Sequence, residues 1–96
     1  MNHAQRTAQR TAEGFARGEM LNPGEALKRA EPVGPFVVAL VELPEGGYQN
    51  RAAQPAVILR GRRSAVPLVT VVSTHGRSVY AEAASRFNSL VDEELA

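Results

Sequence analysis

The chain contains no cysteine and no long hydrophobic run, and both absences restrict what it can be. Without cysteine it forms no disulfide and no cysteine-ligated zinc site, so it does not need an oxidising compartment. The longest apolar run, Phe36–Val41, is far shorter than the roughly 20 residues that span a bilayer. No apolar stretch follows the basic residues of the N-terminus, which argues against a secretory signal. We therefore expect a cytoplasmic protein with no membrane association.

Lysine is almost absent, since ten of the eleven basic residues are arginine and Lys28 is the exception. A GC-rich genome produces such a bias without any functional cause. The functional alternative is that arginine is preferred where a planar, forked cation meets phosphate or carboxylate. The net charge of +1 shows that the chain as a whole is not a polycation.

The length of 96 residues leaves room for one domain. We interpret residues 1–96 as a single α+β domain. A helical N-terminal segment is predicted for residues 1–31, and a sheet with a C-terminal helix for residues 35–95.

Alanines spaced four residues apart predict a first helix, because this spacing stacks Ala4, Ala8 and Ala12 in one stripe. Phe15 and Ala16 extend the stripe. Two glycines weaken the helix, and small side chains bury little area. We expect this helix to need a partner surface, either in the same chain or in another.

A second helix is predicted to begin at Asn22 and to end by Glu31. Asn22 is a good N-cap, Pro23 suits the first helical position, and Glu25 lies at capping-box distance from Asn22. Pro32 restricts the residue before it to extended conformations and so ends the helix.

Three apolar segments predict strands over Phe36–Leu43, Ala56–Arg62 and Val66–Ser73. The first has six consecutive apolar residues, which indicates a central strand covered on both faces. Pro67 favours an edge position for the third. The intervening segment, Tyr48–Gln54, is predicted to be a polar loop or a ragged edge.

A last helix is predicted from about Val79 to Glu94, with Ser78 as its N-cap. Its apolar residues recur at helical spacing and form one wide face; they are Tyr80, Ala83, Ala84, Phe87, Leu90 and Val91. The predicted order is therefore α-α-β-β-β-α. The simplest architecture is a three-stranded antiparallel sheet packed against the C-terminal helix. The N-terminal helices would lie on the other side of the sheet or in an oligomer contact.

The densest charge cluster contains Arg60, Arg62 and Arg63, with Arg51 predicted to lie near them. Gly61–Ser64 has the composition of a hairpin connection, with Arg63 in the turn and Arg60 and Arg62 on one strand face. Such a hairpin can contact phosphate or an acidic protein partner. The alternative is a solvated hairpin that protects a sheet edge from aggregation. No aromatic residue interleaves with these arginines, so stacking on single-stranded bases is not supported.

The second candidate site is the predicted strand-turn-helix junction that contains His75 and Arg77. Helix N-termini attract anions, so these side chains and the neighbouring hydroxyls could hold a phosphate, or the junction could be an ordinary helix cap. His75 could act as a general base for Ser73 or Ser78, but nothing in the sequence points to a supporting acid. Neither histidine has a second ligand at metal-binding spacing. We therefore expect no metal and no cofactor.

The basic hairpin, the strand after it, and His75, Arg77 and Tyr80 together resemble the end of the RelE/ParE toxin fold. The resemblance covers less than half of the chain, and the strand expected before the first helix is missing here. It implies a ribonuclease that works without metal.

These observations leave three functions open. The first is a small, non-enzymatic binding protein that docks on a protein partner, as bacterial and phage accessory factors, inhibitors and anti-defence proteins do. The second is a nucleic-acid-binding protein that uses the arginine hairpin, and the remote third is the ribonuclease. A homo-oligomer formed through the N-terminal helix is compatible with each of them.

Overall fold

The computed structural model describes residues 3–54, 58–59, 62–63 and 68–94. The protein is α+β, with an antiparallel sheet between two helices. The elements in chain order are α1 (His3–Ala16), β1 (Ala26–Val33), β2 (Phe36–Glu42), β3 (Tyr48–Gln54), β4 (Ile58–Leu59), β5 (Arg62–Arg63), β6 (Leu68–His75) and α2 (Tyr80–Ser89). A π-helical stretch, Leu90–Glu94, continues α2.

The main sheet has four strands in the order β1-β2-β3-β6, and all its pairings are antiparallel. The prediction of three strands is therefore wrong, while the prediction of an antiparallel sheet is confirmed. β2 is a central strand, and its residues Val37–Val41 have no solvent exposure. This confirms the prediction made from its uninterrupted apolar run.

Alternate residues of β2 face two separate cores, because successive side chains of a strand point to opposite faces. Val37, Ala39 and Val41 pack with Phe15 of α1 on one face. Val38 and Leu40 pack on the other face with α2, which contributes Ala83, Phe87 and Leu90. Phe15 is fully buried, so α1 finds its partner surface within this chain.

The predicted second helix over residues 22–31 is wrong, since Ala26–Val33 is a strand, β1. One contact of the predicted capping box does form, since Glu25 Oε1 accepts a hydrogen bond from the Asn22 backbone N–H at 2.8 Å, but no helix follows it. Gly24 then adopts a φ of 82°, which is a left-handed conformation that ends the turn. The chain continues as β1, because pairing with β2 along its whole length outweighs helix propensity.

The predicted loop over Tyr48–Gln54 is also wrong, because this segment is β3, which pairs with β2 and β6. Polar side chains make the segment look like a loop. Within the fold, however, Asn50 and Arg51 are buried and find hydrogen-bond partners inside the protein. A strand can carry buried polar groups when most of them are paired in this way; among the described residues, Asn50 Oδ1 is the one buried polar side-chain atom without a hydrogen bond.

The predicted second strand lies only partly within the described residues. Ile58 pairs with Arg63 and Leu59 with Arg62, so β4 and β5 form a small two-stranded sheet. Arg63 is therefore a strand residue and not a turn residue as predicted. The rest of Ala56–Arg62, with Arg60 and the ends of the predicted turn, lies outside the described residues.

The third predicted strand corresponds to β6, and its edge position is confirmed. It begins in the described residues at Leu68 and continues to His75, two residues beyond the predicted end. The prediction of Ser78 as the cap of the last helix is wrong, because Val79 occupies the N-cap without any side-chain cap bond. The apolar face of that helix is confirmed at its buried residues, Ala83, Phe87 and Leu90.

Candidate partner-binding edge and the polar cluster beside it

Arg51, one of the predicted contact residues, is buried in the protein and forms an ion pair with Glu25. The fork is bidentate: Nη1 donates to Oε1 at 2.7 Å and Nη2 donates to Oε2 at 2.6 Å. Nε and Nη2 also donate to Gln49 Oε1. The Arg51 hydrogen bonds lower the pKa of Glu25 to about 2, against a usual value of 4.5, although burial opposes this shift. The donors of Arg51 are thus engaged inside the molecule.

His75, the second predicted candidate, lies at the end of β6 with a side chain only 8% exposed. Its Nε2 lies 2.9 Å from the Ser73 hydroxyl, and its Nδ1 lies 2.9 Å from Glu82 Oε1 on α2. Asn50 of β3 donates to the Ser73 hydroxyl at 3.2 Å and to the Ala83 carbonyl at 3.1 Å. These hydrogen bonds form one polar cluster that joins β3, β6 and α2.

The order of the groups Ser73, His75 and Glu82 is that of a nucleophile, a base and an orienting acid. Nothing in the residue spacing pairs Glu82 with His75, because a turn separates them and only the start of α2 brings them together. A hydrolase would also need space above the hydroxyl and donors for the developing oxyanion. Here the hydroxyl contacts the amide of Asn50, which is fully buried beneath α2. The cluster therefore runs from Asn50, between sheet and helix, to the Glu82 side chain, which is 66% exposed, and it ties β3, β6 and α2 together.

Arg77 lies on the surface, in the turn before α2. Its aliphatic stem packs beside Gly46 in the β2–β3 turn, where an added Cβ would lie 3.3 Å from Arg77 Cγ. Arg62 and Arg63 are placed only as the backbone of β5, and Arg60 lies outside the described residues. The six predicted contact residues are thus not seen to converge on one site.

Among the described residues, the surface with the greatest apolar exposure is β6, and it was not singled out from the sequence. Its exposed apolar residues include Leu68 at 58% and Val71 at 50%. Val69 and Val71 pair with Ala53 and Arg51, so they share the face of the sheet that carries α1. α1 packs mainly on β1 and β2 and leaves this part of the face open. The alternating valines of β6 can be recognised in the sequence, whereas how far α1 extends over the sheet cannot.

On the other face of β6, α2 covers the end near His75 and leaves Tyr80 43% exposed. The Tyr80 ring packs edge-on against Tyr48, with ring centroids 5.2 Å apart. Leu68 lies at the opposite end of the strand. Apolar side chains are therefore accessible along the edge strand and at the start of α2.

Charge is distributed unevenly around this edge. From Gly46 to Ala81 the chain has five arginines and no aspartate or glutamate, so all ten acidic residues lie outside this range. The range contains β3, β4, β5 and β6. In space this excess is partly offset, because Glu25 pairs with Arg51 and the exposed Glu82 contacts His75 at the end of β6.

Within the described residues, no three His, Cys, Asp or Glu side chains are grouped so that they could hold a metal ion. Nor does that part of the chain contain a helix long and apolar enough to cross a membrane. Comparisons with protein-family models, curated proteins and solved structures find no significant match.

Proposed function

We propose that this chain is a small, non-enzymatic binding protein that docks on a protein partner, as an accessory protein or inhibitor of bacterial or phage type does. An anti-defence protein is one example of this class. The observation that carries the proposal is the exposed apolar strip on β6, which Val69 and Val71 form on the face that carries α1, while Leu68 is exposed on the opposite face. Apolar area removed from water contributes about 25 cal/mol per Å², so covering this strip would favour a complex. Single exposed apolar residues are ordinary, but a contiguous set on one strand indicates an interaction surface.

The position of Phe15 favours a protein partner over self-association through α1. Phe15 extends the predicted apolar stripe of that helix, and it is fully buried against β2. An oligomer contact through α1 would have to use its remaining faces, where Arg10, Glu13 and Ala16 are exposed. The strip on β6, in contrast, is already exposed and can be covered by a partner directly.

The experiment that tests the proposal is partner capture with a photo-crosslinking residue, followed by reconstitution. The reactive residue is placed at Val71 in one bait and at the exposed Arg10 of α1 in a second, and the baits are irradiated in cells of the native host. A single protein that crosslinks to either bait and forms a stoichiometric complex with the purified chain would support the proposal. Failure of both baits to capture any protein that binds the purified chain would refute it.

A nucleic-acid-binding protein is the second candidate, and the acid-free range Gly46–Ala81 is the observation that favours it. Basic side chains that neutralise phosphates without nearby acids give strong, salt-dependent binding. The net charge of +1 counts against it, since such domains usually have a basic surplus.

The remote alternative, a metal-free ribonuclease of the RelE/ParE kind, needs His75 and Arg77 at an RNA-binding surface. The His75 side chain is nearly buried and is engaged by Ser73 and Glu82. This geometry supports docking better than catalysis. RNA that is cleaved by the wild type and left intact by His75→Ala and Arg77→Ala variants would reverse this preference.

A further inference from the structure

We draw no further inference here: the strongest candidate, the exposed apolar strip that Val69 and Val71 form on the edge strand β6, belongs to the surface already described, and nothing in the structure shows what covers it.

Discussion

At the scale of single residues, the Glu25–Arg51 pair shows how a polar strand becomes part of a core. The two side chains are only 5% and 8% exposed, and both Glu25 oxygens accept bonds from Arg51. A buried charge is costly alone and tolerable when it is paired and fully hydrogen-bonded. Glu25 also accepts the Asn22 N–H, so the pair fixes the turn before β1 to the middle of β3.

This pair makes the stability of the protein sensitive to acid. The folded-state pKa of Glu25 is lowered to about 2 from a usual 4.5, so its contribution is complete above about pH 4.5. It is lost as pH falls from about 4.5 towards 2, because over this range the Glu25 carboxylate binds a proton in the unfolded chain and stays ionised in the folded chain. At 1.36 kcal/mol per pKa unit, the contribution is about 3 kcal/mol. We expect the free energy of unfolding to decrease over this range in urea titrations.

The Glu25→Gln variant should lose about 3 kcal/mol at neutral pH, because it leaves Arg51 buried without its counter-charge. Its difference from the wild type should shrink as pH falls towards 2. Glu19→Gln is the matched control, since Glu19 pairs with Arg17 at the surface, where an ion pair contributes less than about 1 kcal/mol. An equal pH dependence in wild type and Glu25→Gln would show that other carboxylates cause the acid sensitivity.

At the scale of elements, the strand assignments show where sequence reasoning succeeds. β2 and α2 were predictable, because their own side chains form a continuous apolar run and a wide apolar face. β1 and β3 were not, because what makes them strands lies elsewhere in the chain. β1 needs β2 as its neighbour, and β3 needs Glu25 to pair with Arg51 and the Ala83 carbonyl to accept from the Asn50 amide.

The candidate site, too, was predictable only where it depends on its own side chains. The edge position of β6 and the valines on its surface could be predicted from Pro67 and the alternating pattern. Its exposure could not, because it depends on how far α1 and α2 extend over the sheet. The partners of Arg51 and His75, which are Glu25 and Glu82, come from other elements and have no signature in sequence spacing.

The turn between β2 and β3 must pack closely against the end of β6, and this leads to a prediction about the elements. A Cβ added at Gly47 would lie 2.8 Å from the carbonyl oxygen of His75, which real Cβ atoms essentially never do. We expect Gly47→Ala to lower the free energy of unfolding by about 1–3 kcal/mol, because backbone has to move. Gly76→Ala is the control, since a Cβ there meets nothing within 4 Å. The free energy of unfolding of both variants is measured in urea. Equal values would mean that the β2–β3 turn and the end of β6 move apart at little cost.

At the scale of the whole molecule, charge is distributed unevenly along the chain. The range Gly46–Ala81 contains five arginines and no acid, while all ten acidic residues lie in the rest of the sequence. The net charge is +1, and Glu25 and Glu82 offset part of the basic excess by contacting Arg51 and His75. A nucleic acid and an acidic protein would both be attracted to the arginines that remain, so they must be distinguished by experiment.

Fluorescence anisotropy with generic DNA and RNA at about 50 and 200 mM salt distinguishes them, because phosphate contacts weaken steeply over this range. If protein docking is the function, we expect no saturation below roughly 100 µM at the higher salt, the weak limit of non-specific binding. Replacing Arg60, Arg62 and Arg63 together with Ala should then change little. The control replaces Arg6, Arg10 and Arg17 on the α1 side with Ala. Tight binding that is lost at the higher salt and in the Arg60/Arg62/Arg63 variant, but kept in the Arg6/Arg10/Arg17 variant, would make nucleic acid the partner. The apolar strip on β6 would then have no role in partner binding.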